Sequence, residues 1–132
     1  MAIPLGQVAH FSLAVTDPNA SAAWWLSLFD FEEWARSASR VVLGNDAIAI
    51  SLIEGTPDPS VLTHMAFRTS DMASLESARD VLRDNGVALE DPGDEIGPVA
   101  DGSASLGIWF RDNDGYRWEL YLPADDITPV QE

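Results

Sequence analysis

Along His10-Phe-Ser-Leu-Ala-Val-Thr-Asp17 the apolar side chains fall at every second position, the period of a half-buried strand; beyond Asp17 the period becomes helical. Pro18 suits a first helical turn behind Asp17, and Trp24, Trp25, Leu28 and Phe29 form an apolar stripe. The same change occurs after His64-Met-Ala-Phe-Arg-Thr-Ser-Asp71. There Asp71 caps a helix predicted from Met72 to Asn85, with Leu75, Ala78, Val81 and Leu82 on one face and Gly86 as its stop. The two passages are offset by 54 residues, the separation of His10 and His64, and these are the chain's 2 histidines.

Each helix leads into strands. Arg40–Leu43 and Ala47–Ile53 flank the turn Gly44-Asn45-Asp46 and read as a hairpin, and Gly55–Pro59 closes the first unit. In the second half Val87–Leu89, Leu106–Phe110 and Tyr116–Leu122 are candidate strands, the last two joined by Asp112-Asn-Asp-Gly115 with glycine where a positive φ is needed. The chain therefore reads as one α+β domain over residues 1–132, built of two βαβββ modules. Module one spans about residues 6–55, module two about 61–122, and a frayed tail is expected over 123–132. Residues 90–105 form a long loop rich in Gly, Pro and acid, whose run Glu90–Glu95 reads as a solvated acidic segment.

Composition narrows the chemistry. With 132 residues the chain can bury a core without staples. The absence of cysteine excludes a disulfide framework, a thiolate nucleophile and Cys-ligated zinc or iron–sulfur centres, so metal chemistry must use His, Asp or Glu. A net charge of −15 excludes the basic stripe that nucleic acid requires and opposes anionic lipid surfaces. No basic n-region or long apolar stretch is present at the start, and a cytoplasmic protein is expected. No nucleophile elbow, P-loop, Gly-rich phosphate fingerprint or EF-hand loop occurs.

His10 and His64 occupy the same position of a duplicated unit, where packing of equivalent strands brings equivalent side chains together, and both are read as metal ligands. Glu119, an acid among the aromatic and aliphatic residues of Tyr116-Arg-Trp-Glu-Leu-Tyr121, is the candidate third ligand. Two His and one carboxylate make a facial triad with open positions, suited to non-haem Fe(II) and to catalytic zinc. Strand alternation groups Trp109 with Gly107 and Arg111, Arg117 and Tyr121 with Glu119, and Arg68 with His64. Trp109, Arg111, Arg68, Arg117 and Tyr121 are accordingly the expected substrate-binding residues, whereas Trp24, Trp25, Trp34 and Trp118 read as core.

His10 with Val15-Thr-Asp17, His64-Met-Ala-Phe-Arg68 with Asp71, and Phe110-Arg-Asp-Asn-Asp-Gly115 running to Glu119 resemble the vicinal oxygen chelate superfamily of glyoxalases, bleomycin-resistance proteins and extradiol dioxygenases. The resemblance extends from about Gln7 to Leu122, with the family's Asp-Pro-Asp-Gly turn written Asp112-Asn-Asp-Gly115. It implies a curved mixed sheet around a metal, with His10, His64 and Glu119 at the metal-ligand positions. It also implies a homodimer whose sites draw His10 from one chain and His64 with Glu119 from the other. Glyoxalase I relatives carry a fourth, acidic ligand where this chain has Ile50 or Ser51, and the pocket tyrosine of fosfomycin-modifying relatives is Trp109 here.

The expected function is a metal-dependent enzyme, an Fe(II) dioxygenase or oxygenase acting on a small aromatic or otherwise apolar oxygen-chelating substrate; Zn, Mn or Ni would suit the same triad. One alternative is a divalent-metal lyase or isomerase of glyoxalase type, with Glu119 alternating between ligand and catalytic base. The other is a metal-free drug-sequestering protein of bleomycin-resistance type, which the charge of −15 would suit.

Overall fold

Asp17 and Asp71 act as the sequence predicts, each ending a strand and opening a helix. The computed structural model describes residues 2–90, 96–100 and 102–127. Asp17 follows β1 (His10–Val15) and accepts hydrogen bonds from the backbone N–H of Asn19 and Ala20, with Pro18 in the first turn of α1 (Pro18–Leu28). Asp71 follows β5 (Met65–Arg68) and accepts from the Ser74 N–H at the start of α2 (Met72–Asp84), a bond that lowers its carboxyl pKa. At the other end of α2 the N–H of Gly86 bonds the Arg83 carbonyl and that of Val87 the Leu82 carbonyl. Gly86 supplies the positive φ of 75° that this Schellman ending requires.

The chain divides into two compact units, Met1–Asp58 and Pro59–Glu132. The first adds β2 (Glu32–Ser37), β3 (Arg40–Gly44) and β4 (Ala49–Glu54) to β1 and α1, in the sheet order β1-β4-β3-β2 with β1 and β4 parallel. The second adds β6 (Gly97–Pro98), β7 (Leu106–Arg111) and β8 (Arg117–Leu122) to β5 and α2, in the order β5-β8-β7-β6 with β5 and β8 parallel. Both units are thus βαβββ, and the fold is α+β. Among the described residues no helix is long and apolar enough to cross a membrane.

One face of each sheet packs on its helix. In the first unit Leu13, Val15, Val41, Leu43, Ile50 and Leu52 are buried with Ala22 and Trp25 of α1. In the second, Ile108, Phe110, Trp118, Leu120 and Leu122 are buried with Leu75 and Leu82 of α2, and Phe67 stacks on Trp118 at 5.4 Å between ring centroids. Each such side chain contributes roughly 1.5–3 kcal/mol of transfer free energy, which sets the inward phase of every strand and leaves the opposite face for chemistry.

Several elements differ from the sequence expectation. Val87–Leu89 contributes only a single bridge, Leu89 to Phe110, and the fourth strand of the second sheet is the short edge Gly97–Pro98, where a proline needs no ladder donor. β2 has no apolar alternation because all six of its residues are exposed. Trp34, expected in the core, is 56% exposed. Residues 124–126 form a 3₁₀ turn rather than a frayed start to the tail, held by the Ala124 N–H on Ser105 Oγ and by an Arg68–Asp126 ion pair; residues 128–132 lie outside those described.

The turn between β7 and β8 is organised by Asp112. Its Oδ1 accepts from the N–H groups of Asp114 and Tyr116, both at 3.0 Å, and its Oδ2 from Trp118 Nε1 at 3.0 Å, while Gly115 takes a φ of 88°. Burial raises the Asp112 carboxyl pKa, and these three donors work against the rise. Asp112→Ala would remove three hydrogen bonds at once, those from Trp118 Nε1 and from the N–H groups of Asp114 and Tyr116. A loss of about 1–3 kcal/mol in urea denaturation is expected, with an unchanged m-value.

Candidate metal centre

The register of the second sheet assembles one face. Ala66, Glu119 and Trp109 lie side by side across β5, β8 and β7, as do Arg68, Tyr121 and Gly107, and Arg111 pairs with Arg117. Directly paired residues share a face and alternate ones along a strand return to it, so His64, two residues before Ala66, belongs to this face too. It is the face opposite the α2-packed residues.

Glu119 is its centre. The residue is only 3% exposed, Oε1 lies 3.1 Å from His64 Nε2, and Oε2 is buried with no hydrogen-bond partner. Burial raises the Glu119 carboxyl pKa, and the neighbouring His64 and Arg117 oppose the rise. A buried carboxylate oxygen without a partner is rare in folded chains because its desolvation goes uncompensated. Gly107 makes room for it: a Cβ there would stand 2.8 Å from Glu119 Oε2, 3.1 Å from the Leu120 carbonyl and 3.2 Å from Val99 Cγ1. The sequence reading put Gly107 on this face without a role; a glycine inside a strand is the signal that another group approaches closely. Gly107→Ala is expected to cost about 1–3 kcal/mol and to displace the carboxylate, weakening metal affinity in a chelator competition while the circular dichroism spectrum is kept.

The arginines of this face are already engaged. Arg111 Nε donates to Glu90 Oε2 at 2.8 Å and Arg117 Nε to Glu90 Oε1 at 3.1 Å, while Arg111 Nη1 reaches the Gly115 carbonyl. Arg117 also lies over the Trp109 ring, 5.7 Å from its centroid, and Trp109 is buried beneath it. Glu90 is therefore a structural anion rather than part of a solvated acidic run; residues 91–95 lie outside those described. Two like charges paired across antiparallel strands call for an anion between them, and only the strand register discloses that pairing. A cleft of about 630 Å³ opens beside this cluster, lined by Ser60, Leu62 and Thr63 with Glu90, Arg111 and Arg117; it borders His64 through Thr63 and does not lie over Glu119. Tyr121 Oη bonds Ser105 Oγ at 3.3 Å.

His10 opens β1 in the first unit, exposed, with Ala49 as its register partner. The repeat also settles which first-unit residue corresponds to Glu119. Ser12 pairs with Ser51 as Ala66 pairs with Glu119, and Ser12 and Ala66 carry the same offset as His10 and His64. Ser51, not the buried Ile50, therefore stands at the equivalent place. Among the described residues no three His, Cys, Asp or Glu side chains stand together as a metal-binding group; His64 and Glu119 supply a pair. The donor types and the orphaned, buried Oε2 fit a divalent cation at that pair.

Two duplicated βαβββ sheets, one bearing a buried Glu beside a His on its open face, define a small α+β domain of the vicinal-oxygen-chelate kind. Residues 7–120 match the Glyoxalase/Bleomycin resistance protein/Dioxygenase superfamily, and the chain belongs to it. No curated protein matches the sequence. Among solved structures, the lactoylglutathione lyase from Agrobacterium tumefaciens is 15% identical with a TM-score of 0.73, covering 91% of this chain and 96% of that one. The genomically encoded fosfomycin resistance protein from Listeria monocytogenes is 22% identical with a TM-score of 0.69, covering 90% and 94%. The oxidase ChaP-H2 is 19% identical with a TM-score of 0.69, covering 89% and 93%. At these identities the likeness is one of fold.

Proposed function

We propose that the protein is a metal-dependent oxygenase in which His10, His64 and Glu119 hold a divalent metal, Fe(II) before Zn, Mn or Ni, and a small aromatic or otherwise apolar substrate presents two neighbouring oxygens to it. The observation that carries the reading is the Glu119 carboxylate, buried beside His64 Nε2 with one oxygen left without a partner. When bound, such a metal supplies a Lewis acid with open positions for substrate and O₂. The chain's own residues do the rest. His64 and Arg117 favour the charged form of Glu119, Gly107 admits its second oxygen, and the Arg117–Glu90–Arg111 cluster fixes Arg117 over Trp109.

Ser51 at the position equivalent to Glu119 supports a three-ligand site over a four-ligand one, and hence an oxygenase over a lyase or isomerase. One structural neighbour, the oxidase ChaP-H2, agrees with that direction. Arg68, Arg111 and Arg117 each already face a carboxylate, which counts against a phosphonate substrate. On this reading the protein is a homodimer whose sites draw His10 from one chain and His64 with Glu119 from the other.

The test is metal content by mass spectrometry on protein purified anaerobically without chelator or tag histidines, followed by oxygen uptake with catechols. Near-stoichiometric iron and iron-dependent uptake are expected. Zinc or nickel with carbonyl isomerisation would replace the oxygenase by the lyase reading. No metal even after reloading would overturn both and leave the drug-sequestering protein.

A further inference from the structure

The cleft beside the Arg111–Glu90–Arg117 cluster lies outside the proposed ligand set, and its described lining runs against the charge of the chain. Two guanidiniums stand there with the single carboxylate of Glu90, which leaves one positive charge over, whereas the chain as a whole carries −15 and repels anions. Glu90 and the Gly115 carbonyl engage Nε and Nη1 of Arg111, so its Nη2 is without a partner among the described residues, and the Arg111 side chain is 49% exposed. A guanidinium carries five N–H donors, so Arg111 can take a further acceptor without releasing Glu90. The rest of the lining comes from the segment that leads into β5. Pro59 packs on the turn between β7 and β8, 3.4 Å from where a Cβ on Gly115 would stand; Leu62, half exposed, adds apolar surface to the cleft and Thr63 a hydroxyl.

The cleft also adjoins the candidate metal centre. Thr63 is the chain neighbour of His64, and Arg117 precedes Glu119 by two residues on the same face of β8, about 7 Å of strand. A single aromatic ring covers such a separation. We infer that the cleft takes the carboxylate of a singly charged aromatic acid, held by Arg111 and Thr63 with the ring against Leu62, so that the substrate class is an aromatic carboxylate rather than a neutral ring. Glu90, in the same lining, opposes a dianion, in keeping with the argument against a phosphonate. The inference rests on the proposed function for the role of the ring oxygens, and on the cleft alone for the carboxylate.

The test is calorimetric titration of metal-free and iron-loaded protein, under nitrogen, with 3,4-dihydroxyphenylacetate and with its uncharged amide. The metal-free parent should bind the acid about tenfold more tightly than the amide, the range of one charge-assisted contact, and the preference should shrink in 1 M salt. Arg111→Gln should abolish the preference by weakening the acid alone, with amide affinity kept, and Thr63→Val should cut it by about threefold. A purely structural role for Arg111 would weaken both ligands alike and would overturn the inference. Equal affinity for acid and amide in the parent would do so without any variant, whether or not Arg111→Gln folds. If the acid is preferred but iron tightens neither ligand, the metal reading fails and the cleft stands; if iron tightens both and the acid is not preferred, the metal is kept and the cleft is removed.

Discussion

His64→Ala is expected to remove metal binding and turnover together while leaving the domain folded. His64 Nε2 is the partner that the structure gives to Glu119 Oε1, and the His64 side chain is 38% exposed, so truncating it opens no core cavity. What it does open is an electrostatic deficit. The Glu119 carboxylate would be left with both oxygens unpartnered in a buried position, and removing one member of such a pair costs more than the pair itself contributes. Metal affinity in a chelator competition should fall by more than about 100-fold, beyond what loss of a mere supporting hydrogen bond produces. The far-ultraviolet circular dichroism should be unchanged. Parent-level metal content in the variant would sink the assignment of His64 as a ligand. If the protein instead sequesters drugs without metal, the same variant would keep its drug affinity.

The parts of this site that the sequence disclosed are those with a periodic or repeated signature. The strand-to-helix change at Asp17 and Asp71, the two histidines at one offset and an acid inside an apolar strand are local patterns, and local patterns survive in one dimension. What stayed hidden depends on register. Ile50 and Ser51 are indistinguishable as fourth-ligand positions until β1 and β4 are paired, because a slip of one residue exchanges the faces. Glu90 belongs to no element, and only the pairing of Arg111 with Arg117 shows why an anion is needed there. Trp34 was misread for a related reason: β2 is an edge strand exposed along its length, so composition suggested burial while a β-bulge between Glu33 and Ala35 turned the indole outward onto Gly44. Val87–Leu89 had the apolar residues of a strand, yet the edge went to Gly97–Pro98, whose sequence carries no strand propensity at all.

A second large effect should change sign with metal. In the folded chain burial holds the Glu119 carboxyl pKa above the ordinary carboxylate value, so the folded state binds that proton more tightly than the unfolded one. The stabilising contribution is complete below the ordinary value and is lost as pH rises through the folded one. Glu119→Gln keeps the shape and an acceptor for His64 but cannot ionise. In metal-free protein the two forms should therefore be of similar stability at about pH 4, and the variant should be the more stable at about pH 8, with the higher Tm there. Comparing the two proteins cancels the opposite pH trend of groups such as Glu33 and Asp71, whose pKa values are lowered by their hydrogen bonds. Saturating metal should then reverse the order at pH 8. A cation at 100 times its Kd stabilises the parent by about 2.7 kcal/mol, whereas the amide, neutral and a weak ligand, gains little. Differential scanning calorimetry at the two pH values, with and without Fe(II) under nitrogen, reads all four conditions. A variant that is less stable than the parent at pH 8 without metal would mean that Glu119 is satisfied as it stands, and the case for a cation at its second oxygen would fall with it.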